Sequence, residues 1–237
     1  MPAYVARSLL AALGLLAASA PAFAQAPAAS NTTAPAAPAP APPTAPPVKM
    51  PPRMTESEYR LGNPKARVTM VEYASDTCPH CARFAAEVFP AFKAKYVDTG
   101  KVLYVFREFP TDPVQVSAAG FVVARCAGRD KYFDVVNTLF QSQKLGNARD
   151  FLMAGAKAGG LNEDQVKACL DEPTAVTDLK ARVDNAVNVE KIEGTPSFII
   201  NGKKLPDGEK TLKDLDAAIA PLLAPTKAKV APKHRRT

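Results

Sequence analysis

Cys78 and Cys81 stand two residues apart in SDTCPHCARF, residues 75–84, with His80 between them. Three chemistries use such a pair: a redox couple that exchanges disulfides, half of a metal site, or a structural disulfide. Zinc takes four ligands, commonly as paired Cys-x-x-Cys or Cys/His spacings. The other cysteines, Cys126 and Cys169, are isolated residues on helical patterns, and the second histidine, His234, lies three residues from the C-terminus. No metal is therefore expected. A structural bridge across two residues at a helix start would close a ring too small to gain much entropy. Redox exchange is the strongest of the three readings.

The elements around the pair sharpen it. RVTMVEYAS (67–75) mixes β-branched and apolar residues in a short run, as a buried strand does. From Cys78 onward the spacing turns helical, with Cys81, Ala85, Val88, Phe92 and Tyr96 on one face. Thr77 or Asp76 is expected to cap this helix, Pro79 suits its first turn, and Pro90 should kink or split it. A sulfur at the helix N-terminus meets unpaired N–H groups and the positive end of the dipole, which favour the thiolate. A protonated His80 would add a nearby cation. Cys78 is thus expected to be the exposed, acidic nucleophile, and Cys81, one turn on, the shielded resolving thiol. A Cys78 pKa near 4 would stabilise its thiolate by about 4 kcal/mol at pH 7, or about 90 mV toward an oxidising disulfide.

Further along, KVLYVFREF (101–109) reads as a second strand, completing a β-α-β unit with parallel pairing. A helical region follows, about 113–191, broken at Gly, Asn and Pro. GTPSFIINGKKL (194–205) reads as two short strands about an Asn201-Gly202 turn, before a last helix near TLKDLDAAIAPLL. The order implies an α/β sheet domain with a helical insertion, and it leaves the strand order undetermined.

The ends differ in kind from the middle. Residues 1–24 carry Arg7, an apolar run and a small-x-small site before Gln25, the pattern of a cleaved signal peptide. A periplasmic or otherwise exported protein, soluble after cleavage, is expected, in a compartment where disulfides persist. Residues 25–53 hold ten of the 23 prolines and read as a Pro/Ala-rich disordered linker. Residues 223–237 read as a basic disordered tail. The net charge of +7 suggests nucleic-acid or membrane binding, but eight of the 30 basic residues lie outside 54–220, leaving 22 against 23 acidic ones. Nucleic acid is not an expected partner, and the tail offers at most weak contact with an anionic surface.

EYASDTCPHCARF together with GTPSFIING resembles the DsbA-like family of thioredoxin-fold periplasmic thiol:disulfide oxidoreductases. YVFREFP, ARCAG and ACLDEP are similar to that family's helical insert, and the resemblance spans about 57–222, within an expected domain of 54–222. It implies an α/β, thioredoxin-like fold with an inserted helical domain. It also implies that Cys78 and Cys81 are the redox pair, tuned by Pro79 and His80. Thr195-Pro196 would be the cis-proline loop against the sulfurs, and Glu72 the buried acid that helps proton transfer at the second cysteine. No cofactor is implied. The expected partners are folding exported polypeptides and a membrane-embedded protein that reoxidises the pair. Threonine before that proline also occurs in isomerase and reductase relatives, so those activities stay open, as does a non-catalytic peptide-binding module. In an oxidising compartment Cys126 and Cys169 are expected to form a structural disulfide, with two buried free thiols as the alternative.

Overall fold

The computed structural model describes residues 58–224. The expected signal peptide, the Pro/Ala-rich linker and nearly all of the basic tail lie outside them. Five strands form one mixed sheet: β1 (Tyr59–Leu61), β2 (Val68–Ala74), β3 (Val102–Glu108), β4 (Ser197–Ile200) and β5 (Lys203–Lys204), in the spatial order β1-β3-β2-β4-β5. β2 and β3 pair in parallel with Glu72 opposite Phe106, while β1 and β4 flank them antiparallel. β1 carries no signal in the sequence because three residues are too few to show a period. The Asn201-Gly202 turn has φ of 46° and 79° at its two residues, the conformation that such a hairpin requires and that Asn and Gly tolerate.

Side chains alternate across the sheet, and each face meets different helices. Val68, Met70 and Ala74 of β2 pack with Phe84, Phe92, Leu215 and Ile219. These come from the helical run Pro79–Val97 and from α8 (Leu212–Leu223). On the other face Tyr73 and Ile199 pack with Ala186 and Ile192, at and beyond the end of α7 (Pro173–Asn188). Leu223, assigned to the tail by sequence, closes α8.

The helical run after β2 is not continuous. α1 (Pro79–Arg83) and α2 (Phe89–Phe92) alternate with π turns at Phe84–Val88 and Lys93–Val97. Pro90 has no N–H to give to the preceding turn, and Val88 bends at φ −110°. The proline therefore splits the helix.

Five helices separate β3 from β4: α3 (Val114–Cys126), α4 (Tyr132–Ser142), α5 (Ala148–Ala158), α6 (Glu163–Leu170) and α7. Asn147 caps α5, and Asn162 with Gln165 forms a capping box on α6. α4 and α5 approach closely at Gly155, where a Cβ would fall 2.7 Å from Leu139 Cδ2. Glu108, at the end of β3, anchors this block to the sheet. Its carboxylate accepts from Arg125 Nε (2.6 Å), Tyr132 Oη (3.0 Å) and Arg182 Nη2 (2.8 Å), so one buried acid ties α3, α4 and α7 to one strand. A charge so deep requires such partners.

Cys126 and Cys169 form a disulfide that joins α3 to α6, with Cα atoms 6.2 Å apart and a sequence separation of 43. It packs in a small cluster with Val122 and Ala175. A Cys126→Ala/Cys169→Ala variant should lose about 4 kcal/mol of stability by the loop-entropy relation for such a separation. Urea unfolding of both proteins checks this, and an unchanged midpoint would mean that the bridge does not constrain the unfolded chain.

Candidate functional site

The end of β2 and the start of α1 bring the two sulfurs together. After Ala74 the chain turns through Ser75, Asp76 and Thr77, and the Ser75 carbonyl accepts from Cys78 N (3.1 Å). Cys78 itself is the N-cap of α1, with φ −78° and ψ 120°, and its side chain makes no capping hydrogen bond. The expected caps are therefore displaced. Thr77 Oγ1 turns away to donate to the Thr111 carbonyl (3.2 Å), and Asp76 is buried. The sulfur makes no capping hydrogen bond, but it lies where the N–H groups of His80 and Cys81 in the first turn favour its thiolate.

The Cys81 thiol and the helix start together pull the pKa of Cys78 down to about 5. The hydrogen bond from the Cys81 thiol acts most strongly, against the opposing effect of burial; Thr195 and the backbone N–H groups of Cys81 and His80 add to it. Cys81 moves the opposite way. Burial pushes its thiol far up, and its hydrogen bond to Cys78 and the nearby Glu72 charge push it further. The two sulfurs of one motif thus hold opposite protonation states, which is the division of labour expected from their positions.

Two expectations about the pair need correction. Cys78 is only 7% exposed, since it lies under the loop before β4. His80 contributes its backbone N–H rather than its ring: the imidazole Nδ1 meets the Glu209 carboxylate, which also accepts from Arg83. With a pKa of about 5 the gain at pH 7 is about 3 kcal/mol, or about 60 mV, rather than 4 kcal/mol and 90 mV.

The Thr195–Pro196 peptide bond is cis, and the Thr195 carbonyl lies 3.4 Å from Cys78 Sγ, accepting from the thiol. Once Cys78 ionises this carbonyl has nothing to accept, and the buried, otherwise unpartnered Thr195 hydroxyl becomes the donor at hand. Pro79 holds the first helical position. Glu72, 2% exposed, accepts from Tyr104 Oη (2.7 Å), and burial raises its pKa to about 8. Both Glu72 and Tyr104 line a groove of about 610 Å³ walled by Phe84, Phe89, Phe133 and Phe140.

Other members of the site left no mark in the sequence. Gln143, just past α4, donates through Nε2 to the carbonyls of Asp76 and Cys78, both at 2.9 Å. The helical insertion thereby clamps the active turn. Ser75 Oγ bonds the hydroxyls of Thr77 (3.0 Å) and Ser117 (2.9 Å) and accepts from Thr111 N (3.1 Å). Neither oxygen of Asp76 meets a partner in good hydrogen-bond geometry, and burial raises its carboxyl well above the usual range against the weaker pull of Ser117 and the backbone N–H groups of Asp76 and Thr77. It fits against α3 only because residue 120 is glycine; a Cβ there would sit 2.0 Å from Asp76 Oδ2. A polar residue at a turn predicts none of these partners, because they come from helices far along the chain.

Among the described residues no group of three or more His, Cys, Asp or Glu side chains is placed to hold a metal ion. Among the same residues no helix is long and apolar enough to cross a membrane. What the arrangement can do is accept attack on one sulfur and release the other.

Residues 54–220 match the family model described as thioredoxin. A Rickettsia felis protein provisionally named a protein-disulfide oxidoreductase is 34% identical over 188 residues, which is 77% of this chain and 66% of that protein. The chain thus spans slightly less than two thirds of that curated relative. The crystal structure of Wolbachia pipientis α-DsbA1 superposes with a TM-score of 0.64 and 32% identity, covering 70% of this chain and 90% of that one. The crystal structure of a protein-disulfide isomerase from Novosphingobium aromaticivorans gives 0.60 and 25%, covering 72% and 99%.

Proposed function

Because this chain belongs to the DsbA-like, thioredoxin-fold family, we propose that it is an exported thiol:disulfide oxidoreductase that introduces disulfides into secreted polypeptides. The observation that carries the reading is the asymmetry of the pair: Cys78 is pulled down to about 5 while Cys81 is pushed up.

The oxidised enzyme carries a Cys78–Cys81 bond. A substrate thiolate attacks Cys78 Sγ, forming a mixed disulfide as the bond to Cys81 breaks. Cys81 leaves with the electron pair and needs a proton, because its buried site disfavours the thiolate. Glu72, still protonated at neutral pH with its pKa of about 8, is the donor beside it, and the aromatic-walled groove offers that carboxyl a route for reprotonation. A second substrate thiolate then attacks the substrate sulfur of the mixed disulfide, and Cys78 departs as the thiolate that the helix start stabilises. The substrate loses two electrons, and the enzyme keeps them as two thiols. A membrane-embedded partner outside the cytoplasm would take them back.

The lowered Cys78 pKa favours the reduced enzyme and so makes the disulfide a donor. Equilibration with glutathione should give a potential above about −200 mV, well clear of the roughly −270 mV of a thioredoxin-type reductant. A value near −270 mV would overturn the oxidase reading. Isomerase activity, favoured by Thr195 and by the likeness to the Novosphingobium isomerase, would appear as rescue of scrambled disulfides at a rate matching that of net oxidation.

A further inference from the structure

His80 is the one titratable side chain inside the Cys-x-x-Cys ring, and its imidazole is engaged elsewhere. Nδ1 meets Glu209, a residue 129 positions later, on the loop between β5 and α8. The loop is built to hold that carboxylate in place. Lys210 Nζ lies inside it and donates to the carbonyls of Gly208 (2.8 Å) and Glu209 (3.1 Å). Asp207 accepts from Lys204 (2.9 Å) and from the hydroxyl of Ser197 (3.3 Å), the residue that follows the cis proline. Gly208, at φ +92°, supplies the bend. Arg83, one turn beyond His80, meets the same carboxylate at 3.1 Å.

From this geometry we propose that Glu209 is a positioning residue for the Cys78–Cys81 couple. It draws the His80 ring toward the β5–α8 loop and withholds the imidazolium charge from the Cys78 sulfur, so that the couple is a weaker oxidant than its Cys-Pro-His-Cys motif alone would make it. The proposal rests on the reading of Cys78 and Cys81 as a redox pair. The charged groups at the ring are Glu209 from the loop and Arg83 from its own helix, which meets the same carboxylate. Removing the Glu209 charge leaves Arg83 unopposed and frees the ring to swing toward Sγ. Both changes favour the thiolate. With the screening of a half-exposed site, one charge is worth about half a pH unit on the sulfur.

The test is Glu209→Gln in the reduced full-length protein, with the Cys78 thiolate read by its ultraviolet absorbance as pH is varied. The Cys78 midpoint should drop by about half a unit, roughly a threefold gain in thiolate on the acid side. The same substitution in a His80→Ala background should have less than half that effect. An unchanged midpoint, or an equal drop with and without His80, would overturn the proposal; an equal drop would mean that Glu209 acts only by its own charge. Failure of the redox reading looks different, because no reversible Cys78–Cys81 couple would then form with glutathione in any of the variants.

Discussion

Cys78→Ser is expected to abolish disulfide transfer, and Cys81→Ala to stop it one step later with the substrate still attached. Only Cys78 has both a stabilised thiolate and any exposure, at 7%, while Cys81 is wholly covered. A serine oxygen cannot carry the mixed disulfide, so oxidative refolding of a reduced substrate should slow by at least about a thousandfold to the uncatalysed rate. With Cys81 gone, Cys78 forms a mixed disulfide that no intramolecular thiol can resolve. Non-reducing electrophoresis of Cys81→Ala mixed with exported polypeptides should show adducts that disappear on reduction. Those adducts would also identify the substrates. If Cys78→Ser refolded substrate as fast as the parent protein, the chain would act as a peptide-binding module and the motif would be a bystander.

Glu72→Gln should change how the reduced protein's stability responds to pH. Two groups pull against each other. Glu72 has a folded-state value of about 8 against an ordinary 4.5. The folded state therefore keeps a proton that the unfolded chain has lost, and stability falls as pH rises from 4.5 through 8, by about 5 kcal/mol over the window. Cys78 has a folded-state value of about 5 against 9. Its contribution is present above pH 9 and is lost as pH falls through 5, again about 5 kcal/mol in all. Between pH 5 and 8 the two nearly cancel, with the raised Asp76 carboxyl tilting the balance toward loss at higher pH. The glutamine variant removes the falling limb and keeps the rising one. Its stability relative to the parent should improve by about 4 kcal/mol between pH 5 and 8, read from urea midpoints of both reduced proteins. Parallel curves would show that Glu72 is not the group that holds the proton. The same variant should release Cys81 more slowly at neutral pH, because the neighbouring proton donor is gone.

Much of the fold was legible because its signals are short-range. The apolar run 67–75, the helical spacing from Cys78 and the Asn201-Gly202 turn each sit within a few residues, where steric preference and side-chain period act directly. β2, β4 and β5 fall within the stretches that read as strands. Pro90 broke its helix for the reason that proline always does. β1 was missed, and so was the strand order, because sheet neighbours are chosen by packing between segments far apart in the chain.

The site divides along the same line. That the sulfurs are two residues apart at a strand-to-helix junction, one at the helix start and one a turn inside, follows from sequence alone, and so does the expectation of an acidic Cys78; the upward push on Cys81 comes from burial in the fold. Tertiary structure decided everything that reaches them from elsewhere: the Thr195 carbonyl from 117 residues away, Gln143 from the insertion, Tyr104 on Glu72, and Glu209 on His80. Sequence suggested that Thr77 or Asp76 would cap the helix and that the His80 cation would serve the sulfur. Both expectations treated the nearest neighbour along the chain as the nearest in space. The fold gave Thr77 to Thr111, buried Asp76 against Gly120 and turned His80 to Glu209, leaving the helix start without a side-chain cap. Local chemistry is written in spacing, since a helix turn or a β-turn joins residues whose separation is fixed. Hydrogen-bond partners and burial are set by which distant surfaces close on one another, and no one-dimensional period records that choice.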